Sequence, residues 1–182
     1  MEVYFITSNR HKLEEVRKIL DMNIKSRSIE LDEIQGIDAA TVAIDKAKRA
    51  YAITRKPVIV EDTALYINAL RGFPGALIKF MVLTVGCTGI CRMLRPYTDR
   101  EATAEACIVF YDGKVLKHFS GRVDGYMSYT VRGRNGFGFD SIFIPRGQSK
   151  TFAEMGEYEK NRISHRMKAV LKLKRYMKGR LA

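Results

Sequence analysis

The stretch that most constrains the fold is Lys56 to Gly75, KPVIVEDTALYINALRGFPG. Pro57 ends the helix-like run before it, and Val58-Ile59-Val60 reads as a short buried strand. Two adjacent acids, Glu61 and Asp62, stand at the end of that strand, followed by Thr63. Neighbours on a strand point to opposite faces, so one carboxylate can look into a cleft while the other faces elsewhere. In open α/β sheets the crevice at the carboxyl ends of strands is where ligands bind. Gly72-Phe73-Pro74-Gly75 closes the stretch as a stiff aromatic turn that allows close backbone approach. Taken alone, the acidic pair is equally well read as solvated charge on an edge strand.

The chain opens in the same idiom. Val3 to Ile6 is a strand, Thr7-Ser8-Asn9-Arg10-His11-Lys12 a tight polar loop, and Leu13, Val16 and Leu20 recur at helical spacing. Glu14 and Glu15 are placed in the first turn of that helix. Strand, short loop, helix aims backbone N–H groups and the positive helix end at whatever fills the loop, a natural phosphate site. The glycines and Gly-Lys-Ser/Thr ending of a Walker loop are absent. Thr7, Ser8 and Asn9 can donate to phosphate oxygens and Lys12 can supply charge; helix capping by Ser8 or Asn9 is the equal alternative.

Further on, Ser26 to Leu31 reads as a second strand, and Asp32-Glu33-Ile34-Gln35-Gly36 as a turn with a further acid. Asp38 or Thr41 caps a helix through Ala52, with Val42, Ala47 and Ala50 inside and Lys46 outside. Ala76 to Val85 and Thr88 to Leu94 are two helices broken at Gly86. Glu101 to Tyr111 and Lys114 to Val123 form a long hairpin turning at Asp112-Gly113. Arg132 to Asp140 is a Gly-rich loop carrying Phe137 and Phe139, and Ser141 to Ile144 is a strand. Thr151 to Glu154 resembles a capping box, and Ser164 is a plausible cap for the final basic helix.

Composition excludes several classes. With 182 residues, 46% of them hydrophobic, the chain can bury a core as one domain, 1–182. The longest apolar run, Ala76 to Cys87, is interrupted by Lys79 and is too short to span a membrane. Glu2 leaves no room for a basic signal-peptide start, so the expected location is the cytoplasm. Cys87, Cys91 and Cys107 lack a paired framework and read as small buried hydrophobes before they read as a zinc site. A net charge of +12 points to anionic partners, nucleic acid or phosphorylated small molecules. The basic residues are densest from Lys160 to Arg180, where a solvated helix face is the first explanation.

The order of the motifs says more than any one of them: TSNRHK, LDEIQG, VEDTAL, GFPG, GFGFD, then AEM and EKNRISHR. In that order they resemble the inosine triphosphate pyrophosphatase family, from Val3 to about Met177. The resemblance implies an α/β protein with a long twisted mixed sheet and flanking helices, forming two lobes around a central cleft. It implies that Thr7, Ser8, Asn9 and Lys12 hold a triphosphate, with Arg10 and His11 in the same loop. Glu33 and Asp62 would bind Mg²⁺, with Glu61 beside them; Asp62 would also accept the proton of the attacking water. Thr63 would touch substrate, and Lys46 and Lys79 would neutralise phosphate charge. Phe137, Gly138, Phe139 and Asp140 would enclose the purine, and Lys160, His165 and Arg166 would complete the pocket.

The implied reaction turns inosine, deoxyinosine or xanthosine triphosphate and water into the monophosphate and pyrophosphate, clearing deaminated purines from the nucleotide pool. The residue types suit it. Mg²⁺ takes carboxylate and phosphate oxygens, stabilises charge developing on oxygen and lowers the pKa of water. Inosine and xanthosine carry a carbonyl at purine position six where adenosine carries an amine, so donors from Arg166 or the backbone would select for them. The resemblance also implies a homodimer, no stable nucleic-acid complex and no membrane partner. Three rivals stay open: a pyrophosphatase for modified or pyrimidine nucleotides, a basic nucleic-acid-binding module, and a scaffold that keeps the fold but has lost activity through Ser8 and Ala64. The family's first loop usually reads Thr-Gly-Asn and its acidic motif ends in Gly; here Ser8 and Ala64 stand at those glycines, which matters if either position needs positive φ.

Overall fold

The computed structural model describes residues 2–20 and 24–181, the side chains of the last two excepted. The expected domain therefore includes Met1, residues 21–23 and Ala182, which lie outside the described residues, as does the side chain of Arg180 in the basic run. The fold is mixed α/β, as expected. Strands β1 (Tyr4–Ile6), β2 (Lys25–Arg27), β3 (Val58–Ile67), β4 (Pro74–Gly75), β5 (Glu101–Tyr111), β6 (Leu116–Met127) and β7 (Phe143–Pro145) form one sheet. Its order is β2-β1-β3-β5-β6-β7, with β4 paired to β3. The first two strands run parallel to β3 and the rest pair antiparallel.

The helices are α1 (Arg10–Leu20), α2 (Ala39–Thr54), α3 (Ile78–Thr84), α4 (Gly86–Met93), α5 (Glu157–Ile163) and α6 (His165–Leu181). On one face of the sheet, Ala39, Ala43, Ala47 and Ala50 of α2 pack on Val58, Val60 and Ala64 of β3; the alanines let helix and sheet approach closely. On the other, Val16 and Leu20 of α1 and Ala169, Val170 and Leu173 of α6 cover Ile59, Ile108 and Phe110. A third cluster, around Leu65, Ile90, Phe143 and Phe152, fills the far end of the molecule.

Sequence reading and structure differ in several places: the break between the two middle helices falls at Val85 and α4 starts at Gly86; β6 starts at Leu116 and runs on to Met127; and a separate helix, α5, precedes α6. Helix α1 begins at Arg10, three residues early, because Asn9 caps it: Lys12 N–H donates to Asn9 Oδ1 at 3.2 Å. Glu14 and Glu15 therefore fall past the first turn. The second strand is only Lys25–Arg27; Ile29 and Leu31 leave the ladder to pack on the α2-side core. The acids are not at the end of a three-residue strand. β3 continues through them to Ile67, paired with β5 over its whole length. Residues 140–142 form a 3₁₀ turn ahead of β7, which starts at Phe143. The caps at Asp38 and Ser164 and the box at Thr151–Glu154 are present.

The edge of β3 opposite β5 explains where the cleft lies. β1 pairs there only with Val58 and Ile59, and β4 only with Leu65 and Tyr66. Between them, among the described residues, the edge at Val60–Ala64 has no neighbouring strand on that side, and Glu61, Asp62 and Thr63 line the gap. Ser8 and Ala64 are not among the residues with positive φ, so neither position needs the glycine found in the family's usual motifs.

Candidate functional site

The gap opens into a cleft of about 870 Å³. The α1 loop (Thr7, Ser8, Asn9, His11, Lys12) forms one wall. The irregular segment Ile29 to Glu33 forms a second, with Lys46 of α2 behind it. Ile78, Lys79, Phe80 and Leu83 of α3 form a third. Phe137 to Asp140, with His165 and Arg166, close the far end. Most of the residues expected at the site thus line one space. Arg10 does not border it, and Lys160 lies behind it, buried to 4% exposure beneath the Phe137 ring.

Side-chain alternation along β3 sends its two acids into different environments, although both reach the cleft. Glu61 shares the face of Ile59, under α6. Arg166 donates to it from Nε to both carboxylate oxygens at 3.0 Å and from Nη2 at 2.8 Å. Lys12 Nζ stands 3.7 Å away, and the Thr63 hydroxyl donates at 2.9 Å. Burial pushes the Glu61 carboxyl up, but Arg166 and Lys12 outweigh it and hold the group at about 2. Asp62 shares the face of Val60 and Ala64, under α2. Its Oδ2 is buried without a hydrogen-bond partner. Burial raises it to about 6, against the pull of Lys12 and Lys46.

Lys46 pairs with Glu33 at the edge of the cleft. Burial lowers Lys12, with Glu61 opposing. Among the described residues no three acids, histidines or cysteines converge as a closed metal site. Asp62 and Glu33 offer two carboxylates instead, within reach of each other's charge. That donor set suits a hard cation such as Mg²⁺, which keeps several ligands for water and substrate phosphates and uses one or two carboxylates. The unpartnered oxygen of Asp62 is the observation in its favour.

At the far end the chemistry is aromatic. His165 is 2% exposed and stacks on Phe139, centroids 5.8 Å apart, with Phe152 5.9 Å away on another side. Burial and the neighbouring Arg166 keep its imidazole well below its usual range, so it is neutral. Its Nδ1 has no partner. Two glycines make this wall possible. A Cβ on Gly121 of β6 would sit 2.1 Å from the His165 carbonyl and 2.5 Å from Ala169 N, so only glycine lets α6 bring His165 and Arg166 onto the sheet. Gly136, at φ +76°, leaves room for Asp140 Oδ2, which a Cβ would meet at 2.1 Å.

Sequence reasoning missed Glu15. It accepts from Lys160 Nζ at 2.9 Å and from Arg166 Nη1, joining the aromatic end and the floor in one buried network. Lys160 also donates to Asp140 Oδ2 at 2.8 Å. The available signal was positional: Glu15 sits beside the apolar stripe of Val16, Ile19 and Leu20, where a solvated acid has no place. The expected donation from Arg166 to a base is also narrowed, because Glu61, Glu15 and Thr63 already take its N–H groups. The apolar wall of Ile78, Phe80 and Leu83 had no recognisable signature, since helical apolar spacing normally marks core. Cys91 and Cys107 are buried, while Cys87 is half-buried and donates to the Gly138 carbonyl at 3.3 Å.

The fold and the site together define a mixed α/β protein with one cleft lined by Lys12, Lys46 and Lys79 and by the rings of Phe137, Phe139 and His165. Residues 3–176 match the model of the Ham1 family, and the chain belongs to that family. It is similar to the dITP/XTP pyrophosphatase of Saccharolobus solfataricus, at 39% identity over 98% of this chain and 95% of that protein. It is 44% identical to the inosine triphosphate pyrophosphatase of Fusarium vanettenii, over 97% and 96% of the two chains. Among solved structures, the HAM1 protein of Coxiella burnetii superposes with a TM-score of 0.87 at 27% identity, covering 98% of this chain and all of that one (100%). No helix among the described residues is long and apolar enough to cross a membrane.

Proposed function

We propose that this protein hydrolyses deaminated purine nucleoside triphosphates, those of inosine, deoxyinosine and xanthosine, to the monophosphate and pyrophosphate. The observation that carries this reading is Asp62: a buried carboxylate with an unsatisfied oxygen, on the floor of a cleft that Lys12, Lys46 and Lys79 also line. The names of the curated relatives support the substrate class.

In this reading the triphosphate lies along the α1 loop, where backbone N–H groups, Thr7, Ser8, Asn9 and Lys12 meet its charge. Asp62 and Glu33 are the carboxylates that would hold Mg²⁺, which would supply charge neutralisation at the phosphates and a more acidic water. Asp62 accepts the proton of the water that attacks the α-phosphorus, on the carboxylate oxygen that no protein group engages. Lys46 and Lys79 offset charge as pyrophosphate leaves. Thr63 and Arg166 keep Glu61 ionised and fixed, so the acidic floor does not rearrange around the substrate. The purine enters the wall of Phe137, Phe139 and His165. Neutral His165, which borders the cleft beside these rings, offers one ring N–H to a carbonyl at position six. The chain works as one domain whose two lobes flank the cleft, as a cytoplasmic homodimer without a stable nucleic-acid complex.

A panel of nucleoside triphosphates assayed for pyrophosphate release, with and without Mg²⁺, tests the reading. The expected result is Mg²⁺-dependent turnover of the inosine and xanthosine compounds far above adenosine triphosphate. A preference for a pyrimidine triphosphate would remove the base assignment. Light scattering tests the dimer.

A further inference from the structure

The rings of His11 and Phe137 stack, with centroids 5.2 Å apart and planes inclined by 17°. The contact joins two segments that line the cleft. His11 stands in the first turn of α1, on the loop that faces the phosphate end, and Phe137 stands in the Gly-rich loop at the aromatic end. Phe137 is anchored from below. Its N–H donates to Asp140 Oδ2 at 2.8 Å, and its ring centre lies 5.0 Å from Lys160 Nζ and 5.3 Å from the Arg166 guanidinium carbon. Asp140, Lys160 and Arg166 are all buried, so that side of the loop is set. The ring itself is only half-buried, and His11, an exposed residue, is the aromatic group that meets it from the opposite wall.

We propose that His11 is a positioning residue for nucleobase binding, which acts through Phe137 and not on the phosphates. The inference rests on the nucleotide reading above. A ring held in one orientation before the purine arrives loses less freedom on binding, and that saving appears as affinity. The imidazole has the flat shape to brace a phenyl ring, and offset stacks of this kind are modest contributors. Bracing of this size should therefore be read in KM, while kcat, set by Asp62 and the floor, stays close to the parent value.

The test combines kinetics with a spectroscopic probe. With inosine triphosphate, His11→Ala should raise KM about three- to tenfold and leave kcat within about twofold; His11→Phe should restore KM. Inorganic tripolyphosphate, which carries the phosphates without a base, should inhibit parent and His11→Ala equally well. The chain has no tryptophan, so Phe137→Trp provides a single reporter. Adding His11→Ala to it should make the indole more accessible to acrylamide quenching. Weaker tripolyphosphate inhibition in step with KM would make His11 a phosphate ligand and overturn the proposal. So would an active parent whose KM ignores His11→Ala, or quenching that does not change. A parent with no turnover of inosine triphosphate would defeat the functional reading, while the quenching result would still decide whether the stack exists.

Discussion

Glu15→Gln is the sharpest test of how the site is held together. Lys12, Lys160 and Arg166 meet Glu15, Glu61 and Asp140 in one buried chain of ion pairs, three cations against three carboxylates. Glu15 joins the halves, and its side chain is 12% exposed while those of Lys160 and Arg166 are 4% and 2% exposed. Breaking a buried pair by removing one partner costs about 3–5 kcal/mol, since the other charge is left uncompensated. Glutamine keeps a hydrogen-bond acceptor and the site keeps some solvent, so about 2–3 kcal/mol is the expected loss. In a chain of 182 residues each kcal/mol moves Tm by about 2–4 °C, giving a fall of about 4–12 °C. Urea denaturation at neutral pH reads the first figure and calorimetry the second. The loss should shrink in acid. Arg166 and Lys160 overcome burial and lower the Glu15 carboxyl, so its stabilisation is present above the ordinary glutamate pKa and disappears as pH falls through the folded value. A double-mutant cycle with Lys160→Met should show coupling. A variant within 0.5 kcal/mol of the parent, roughly the scatter of surface substitutions, would refute the claim that this network organises the site.

Three further outcomes are expected. Asp62→Asn should abolish turnover yet stabilise the metal-free protein. The Asp62 carboxyl is raised to about 6 in the fold, so the parent loses stability between about pH 4 and 6; the variant's gain should be present at pH 8, amount to about 1–3 kcal/mol and vanish near pH 4, as read by denaturation at both. Glu61 behaves oppositely: held at about 2, it contributes stability above pH 4.5 that is lost towards pH 2, so Glu61→Gln should flatten acid unfolding in that window and lower stability at neutral pH. Gly121→Ala places a methyl 2.1 Å from the His165 carbonyl, and α6 must shift; stability should fall by about 1–3 kcal/mol or more and turnover with it, while Gly156→Ala, where φ is −67° and a Cβ meets open space, should disturb packing far less.

The site was legible wherever chemistry and local pattern coincide. The strand–loop–helix opening, the Asp38 cap, the hairpin and the Thr151 box depend on residues a few positions apart, so their physics is complete within the sequence. The extent of β3 was not legible. Glu61 and Asp62 look like a strand end because acids usually leave the ladder, yet pairing with Ile108 and Cys107 carries the strand past them. Ser26 to Leu31 alternates like a strand, but its apolar residues found the α2-side core instead. The motif order located the family and its acids, lysines and aromatics; it had no means of weighing Arg166 against Glu61, because a salt bridge between distant segments leaves no periodic mark.

The sequence by itself therefore determined the family, through the order of its motifs, and the local elements that carry the acids, lysines and aromatic rings of the cleft. Only the tertiary structure decided what each group became. Glu61 and Asp62 are neighbours of almost equal intrinsic acidity, and one is held at about 2 while the other rises to about 6. Strand alternation turns the first towards Arg166 and the second towards a floor with too few donors, and the energy of a buried charge is set by its neighbours in space.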